Sequence, residues 1–148
     1  MIALRKILLV EDNPNDIELI LEALSEQNLA NRVIVVNDGV EAMEYLFYEG
    51  SFINRDKEVP AIILLDIKMP RMDGIEVLQA IKNNPDLRTI PVVMLTSSRE
   101  EPDLKMCYDL GVNAYVVKPV NFKDFFEAVK DLGIFWAVLN ELPNNNNN

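Results

Sequence analysis

The sequence predicts an α/β fold built on one parallel sheet with helices on both faces. Five short apolar runs alternate with stretches of helical period, the pattern of repeated strand–helix units. The run Ala61 to Leu65 is apolar throughout, as expected of a strand covered on both faces. Four runs are followed at once by polar residues: Glu11-Asp12, Asp66, Thr96 and Lys118. Because each crossover is right-handed and filled by a helix, all strands point the same way, and these residues gather at one edge. Ligands bind at that edge, outside the carboxyl ends of the strands.

Arg5 to Val10 reads as the first strand, and Ile17, Ile20, Leu21 and Leu24 recur at helical spacing over roughly residues 15–27. Arg32 to Val36 is the second strand, after which Asp38 caps a helix carrying Val40, Met43, Leu46 and Phe47 on one face. Residues 49–59 are polar, with no clear period, and are expected to form a long exposed loop. Ala61 to Leu65 is the third strand, and Ile75, Val77, Leu78 and Ile81 mark the third helix. Pro91 opens a fourth strand, Val92 to Leu95. The fourth helix runs from about Pro102 to Leu110 and stops at Gly111. Ala114 to Val117 is the fifth strand. Asn121 caps a last helix with Phe122, Phe125, Phe126, Val129 and Leu132 on one face.

Residues 1–143 are expected to form one domain, with an apolar extension from about residue 134 that includes Phe135, Trp136, Leu139 and Leu142. Asn144 to Asn148 is a low-complexity tail, read as disordered. No apolar run approaches the roughly 20 residues of a membrane span, and the amino terminus lacks the layout of a signal peptide. A cytoplasmic protein is expected. The net charge of −10 argues against nucleic acid, which selects clustered lysine and arginine. The single cysteine, Cys107, excludes an internal disulfide and reads as a small apolar residue on a helix. With no histidine in the chain, any histidine in its chemistry must come from another protein.

Taken one at a time, the acids are ambiguous. Glu11 and Asp12 alone read as helix-capping acids, and Asp66 alone matches half of a nucleotide-triphosphatase site whose phosphate loop is missing. Brought together, carboxylates repel unless a cation intervenes, and magnesium suits hard oxygen ligands. Asp66 is the candidate nucleophile toward phosphorus. Lys118 offers a point charge to a phosphoryl oxygen, Thr96 a hydroxyl, and Lys118-Pro119 is a candidate cis peptide. Tyr115 reads either as a half-buried strand aromatic or as a rotamer switch that moves inward when Thr96 shifts.

Glu11-Asp12, Asp66 with Met69-Pro70 and Asp73-Gly74, Thr96-Ser97 and Lys118-Pro119 together resemble the receiver domain of two-component response regulators, over about residues 5–133. The resemblance implies a flavodoxin-like doubly wound sheet of order 2-1-3-4-5 and five helices. It implies Mg2+ and phosphotransfer from a histidine kinase's phosphohistidine to Asp66. It also implies that Lys68 gives a backbone carbonyl to the metal, and that Thr96 and Tyr115 signal phosphorylation to the last helix–strand–helix face. The insertion from Tyr48 to Pro60 and the ending from Phe135 to Pro143 are similar to the stand-alone regulators paired with cyanobacterial phytochrome kinases. A light-sensing kinase is then implied as donor.

The reading is a phosphoacceptor signalling protein rather than an enzyme, whose output is a contact with a downstream protein. The apolar ending points to a homodimer through the fourth and fifth helices, the fifth strand and the extension. An aspartate-nucleophile phosphatase fits less well, because its general acid would stand where Lys68 is. A binding module that never takes phosphate is the other alternative.

Overall fold

The computed structural model describes residues 5–26, 28–98 and 101–130. Strands and helices alternate through them: β1 (Ile7–Val10), α1 (Pro14–Ser25), β2 (Val33–Val36), α2 (Gly39–Leu46), β3 (Ile62–Asp66), α3 (Gly74–Lys82), β4 (Val92–Thr96), α4 (Leu104–Asp109), β5 (Ala114–Val117) and α5 (Phe122–Val129). The strands form one all-parallel sheet of order β2-β1-β3-β4-β5, the flavodoxin-like arrangement. The inner strands β1, β3 and β4 are buried along their whole length, which explains why their sequences show no polar alternation.

Alternate side chains of these strands enter two separate cores. Leu8, Val10, Ile63, Leu65, Val92 and Met94 pack with α2, α3 and α4. Ile7, Leu9, Ile62, Leu64, Val93 and Leu95 pack with α1 and α5. Cys107 lies in the first core, as its place on an apolar helix face implied. Burial, followed by the nearby Asp103, Glu101 and Asp73, pushes its thiol up to about 11 and keeps it protonated.

Helix starts follow the side chains that cap them. Asn13 accepts from the backbone of Asn15 and Asp16, with Pro14 opening α1. Asp38 accepts from Glu41 and Asn121 from Asp124, as the sequence indicated for α2 and α5. Asp73 and Glu76 form a reciprocal capping box on α3. The fourth helix is shorter than expected. Pro102 and Asp103 form a turn before it, the Asp103 side chain makes no cap, and Gly111 ends the segment at φ +96°. β4 is one residue longer than expected and β3 is shifted by one, to Ile62–Asp66, because Asp66 pairs with Leu95 and Thr96 with Val117 in the ladder.

Residues 49–59 form the long exposed loop expected after α2, and the loop has internal order of its own. Gly50–Phe52 is a 3-10 turn, and Phe52 meets Tyr45 edge to face. Arg55 folds back over α2, with its guanidinium 3.8 Å from the Tyr45 ring centroid and 4.1 Å from that of Tyr48. It also donates to the carbonyls of Tyr45, Asp56 and Glu58. Arg55, with Lys57 4.0 Å from the Tyr48 ring centroid, thus adds to the packing of Phe52 and Val59 against the core. Leu132, the extension from about residue 134 and the Asn144–Asn148 tail lie outside the described residues.

Removing the staple isolates its contribution. Arg55→Ala is expected to destabilise the fold by about 2 kcal/mol in urea titration. Hydrogen exchange should quicken in residues 49–59 and leave the carboxyl ends of the strands unchanged.

Candidate functional site

The sheet register assembles the site. Val10 pairs with Leu65, Asp66 with Leu95 and Thr96 with Val117, so the residues that end or follow β1, β3, β4 and β5 converge. Glu11, Asp12, Asp66, Thr96 and Lys118 line one open cleft of about 420 Å³, together with Asp16, Lys68, Ser97 and Glu101. Every site residue expected from the sequence is there except Tyr115, which lies deeper on β5.

Asp66 is 6% exposed, and its backbone is fixed by α3. A Cβ on Gly74 would sit 2.2 Å from the Asp66 carbonyl oxygen, so only glycine lets the helix start so close beneath the strand end. Across the loop, the Gly39 N–H donates to the Met72 carbonyl at 3.2 Å, and Arg71, at φ +64°, grips Asp38 with Nε and Nη2. The Arg71 hydrogen bond holds the Asp38 carboxyl below the usual range. Two features the sequence did not disclose, the Gly39 approach and the Arg71–Asp38 pair, therefore tie the loop carrying Lys68 to α2.

Glu11, Asp12 and Asp66 each present an oxygen within 4.8 Å of the others. Glu11 is fully buried, and burial first, with the Asp66 charge adding to it against the pull of Lys118, raises its pKa to about 7. Burial likewise raises the Asp66 carboxyl, partly offset by Lys118. The Lys118 ammonium lies 2.9 Å from Glu11 Oε1, 3.1 Å from Asp16 Oδ2 and 3.3 Å from Asp66 Oδ1. Burial disfavours its charge, but hydrogen bonding and attraction from these acids outweigh that and hold its pKa above the usual lysine value. Glu11 Oε1 is buried and ion-paired with Lys118, with no other partner among the described residues. A buried carboxylate beside two further carboxylates is a donor set that fits a hard divalent cation.

The Lys118–Pro119 peptide is cis, as the sequence suggested. Thr96 does not point its hydrogen into the cleft. Its hydroxyl donates to the Ser98 carbonyl at 3.0 Å, so a phosphoryl contact requires it to rotate. Met94 pairs with Tyr115 and Thr96 with Val117, which puts Thr96 and Tyr115 on the same face of the sheet. Tyr115 is half-buried and meets Tyr108 of α4 edge to face, with centroids 6.3 Å apart.

Sequence reasoning missed Asp16, Glu101 and Asp103. Asp16 looks like an ordinary acid in a first helical turn, yet it binds Lys118. Glu101 and Asp103 each stand 3.6 Å from the Lys68 ammonium, a pairing across two loops with no local signature. No helix among the described residues is long and apolar enough to cross a membrane.

A five-stranded sheet of this order with an acid-lined cleft and a lysine at its carboxyl edge defines a receiver domain, and the chain belongs to the response regulator receiver domain family, matched over residues 7–130. Its relatives narrow the class. Rcp1 of Synechocystis sp. is 43% identical over 137 residues, 93% of this chain and 92% of that protein. The Mn(2+)-bound structure of Rcp1 superposes with a TM-score of 0.72, covering 90% of this chain and 94% of that one. The bacteriophytochrome response regulator AtBRR is 60% identical with a TM-score of 0.86, covering 94% and 99% of the two chains. The phosphorylated cyanobacterial phytochrome response regulator RcpA is 47% identical with a TM-score of 0.73, covering 90% and 94%. The chain is thus a two-component signalling protein related to phytochrome response regulators, as the insertion after α2 and the apolar ending implied.

Two outcomes follow from the geometry. Gly74→Ala is expected to cost about 2 kcal/mol or more by overpacking, and to weaken divalent-metal binding by displacing Asp66, measured by urea titration and calorimetry. The raised Glu11 pKa means the folded chain holds a proton that the unfolded chain releases. Metal-free stability is therefore expected to fall as pH rises from 4.5 to about 7. Because a cation needs the ionised carboxylate, metal affinity should rise over the same window, with proton release on binding.

Proposed function

We propose that this chain is a phosphoacceptor of a two-component pathway, taking a phosphoryl group on Asp66 from a histidine kinase of the phytochrome type. One observation carries the reading. Asp66 is a buried carboxylate that ends the central strand, 3.3 Å from the Lys118 ammonium and within a converging trio of acids. In the transfer, an Asp66 oxygen forms a bond to phosphorus while the bond from phosphorus to the donor imidazole nitrogen breaks, and the electron pair leaves with that nitrogen. A magnesium ion held by Glu11, Asp12, Asp66 and the Lys68 backbone carbonyl would neutralise charge on the carboxylate and the phosphoryl oxygens.

Lys118 then gives its charge to a phosphoryl oxygen, and Thr96 turns from Ser98 to donate to another. Tyr115, on the same face as Thr96, moves inward into the space this opens and carries the change to the surface of α4, β5 and α5. We propose that the output is a protein contact in the cytoplasm, made by a homodimer through that surface and the apolar ending. The phytochrome relatives support the choice of donor, and the Mn(2+)-bound relative supports a divalent ion.

Intact mass after incubation with acetyl phosphate, with and without magnesium, tests the reading. The wild-type protein is expected to gain a single phosphoryl adduct that requires magnesium and is absent from Asp66→Asn. An adduct that persists in Asp66→Asn would sink the assignment.

A further inference from the structure

Three carboxylate oxygens surround the Lys118 ammonium, and they are not equivalent. Glu11 and Asp66 belong to the trio that converges as a cation site, whereas Asp16 stands outside it. The Asp16 carboxylate accepts from Lys118 Nζ at 3.1 Å and so holds the ammonium from the rim of the cleft. Its backbone is held as well. The Asp16 N–H donates to the Asn13 side chain at 3.1 Å, and Pro14 fixes the start of α1. Asp16 is thus a carboxylate on a rigid helical turn at the rim of the cleft, with its side chain 26% exposed beside a lysine side chain 15% exposed.

An ammonium has three N–H donors, and here three acid oxygens surround it. Loading the cleft changes two of them. Glu11 and Asp66 direct oxygens to the cation, and a phosphorylated Asp66 no longer carries its carboxylate charge. Asp16 alone keeps both its charge and its free lone pairs throughout. We propose that Asp16 is a positioning residue that retains Lys118 in the cleft while the ammonium passes from Asp66 to a phosphoryl oxygen. The inference rests on the reading of Asp66 as phosphoacceptor.

Its rival is a repulsive role, in which Asp16 merely adds negative charge against an anionic donor. Asp16→Ala removes the acceptor and the charge, whereas Asp16→Asn removes the charge and keeps an acceptor oxygen. With magnesium present and no phosphoryl donor, Lys118 in Asp16→Ala is expected to react faster with acetic anhydride than in the wild type, read by peptide mass spectrometry. With acetyl phosphate, Asp16→Ala is expected to be phosphorylated about tenfold more slowly, the scale of one lost charge-assisted hydrogen bond. Asp16→Asn should restore most of that rate, and adding Asp16→Ala to Lys118→Ala should slow it no further. Unchanged Lys118 labelling, or faster phosphorylation of both single variants, would overturn the proposal. The labelling decides the anchor even if Asp66 takes no phosphate, so failure of the phosphoacceptor reading is seen separately.

Discussion

The ammonium of Lys118 is what makes the carboxyl edge of this sheet possible. Glu11 and Asp66 are buried within reach of each other, and Asp12 and Asp16 add negative charge at the rim. Without a cation among them, such carboxylates repel or take up protons, and burial, with the Asp66 charge adding to it, still raises the Glu11 pKa against the pull of Lys118. The negative charge left over would favour a divalent ion among these oxygens. The site is held in an electrostatically unsatisfied state by packing that runs through both cores, since the strands delivering these acids are buried along their whole length.

Strand parity divides the labour at this edge. Thr96 and Tyr115 face the core shared with α2, α3 and α4, and Tyr115 rests against Tyr108 on α4. A rotation of Thr96 therefore bears on one side of the sheet, where α4 is short and uncapped. On the opposite side, Phe125 and Val129 of α5 pack with Ile20 and Leu24 of α1 against the sheet. The loop that carries Lys68 is braced independently, by the capping box of α3, the close approach of Gly74 and the Arg71–Asp38 pair. Motion on the Thr96 side thus has a soft element to act on, while the acceptor's own surroundings are stiff.

Most of this was legible because it is written in short range. Apolar runs ending in Asp66, Thr96 and Lys118 identify strands and their functional tips, and Asp38 and Asn121 announce helices beside them. What escaped is what depends on two distant segments meeting. Asp16 and Lys118 are separated by 102 residues, and Arg71 and Asp38 by 33, and neither pair leaves a periodicity or a spacing. The internal order of the loop over residues 49–59 escaped for a related reason. Part of that order comes from a cation between two aromatic rings, and a pattern of apolar residues cannot report that.

That loop joins the end of α2 to the start of β3, so it lies at the amino edge of the sheet, across the whole domain from the carboxylates. Substitutions there are insulated from phosphotransfer chemistry, and Arg55 with its two tyrosines is the chief internal demand on them. Ile53, the most exposed large apolar side chain among the described residues, sits in this loop. The domain thereby sets its acidic cleft and this loop at opposite ends of one sheet. A change in this loop can therefore reshape the amino pole of the sheet without retuning the active edge.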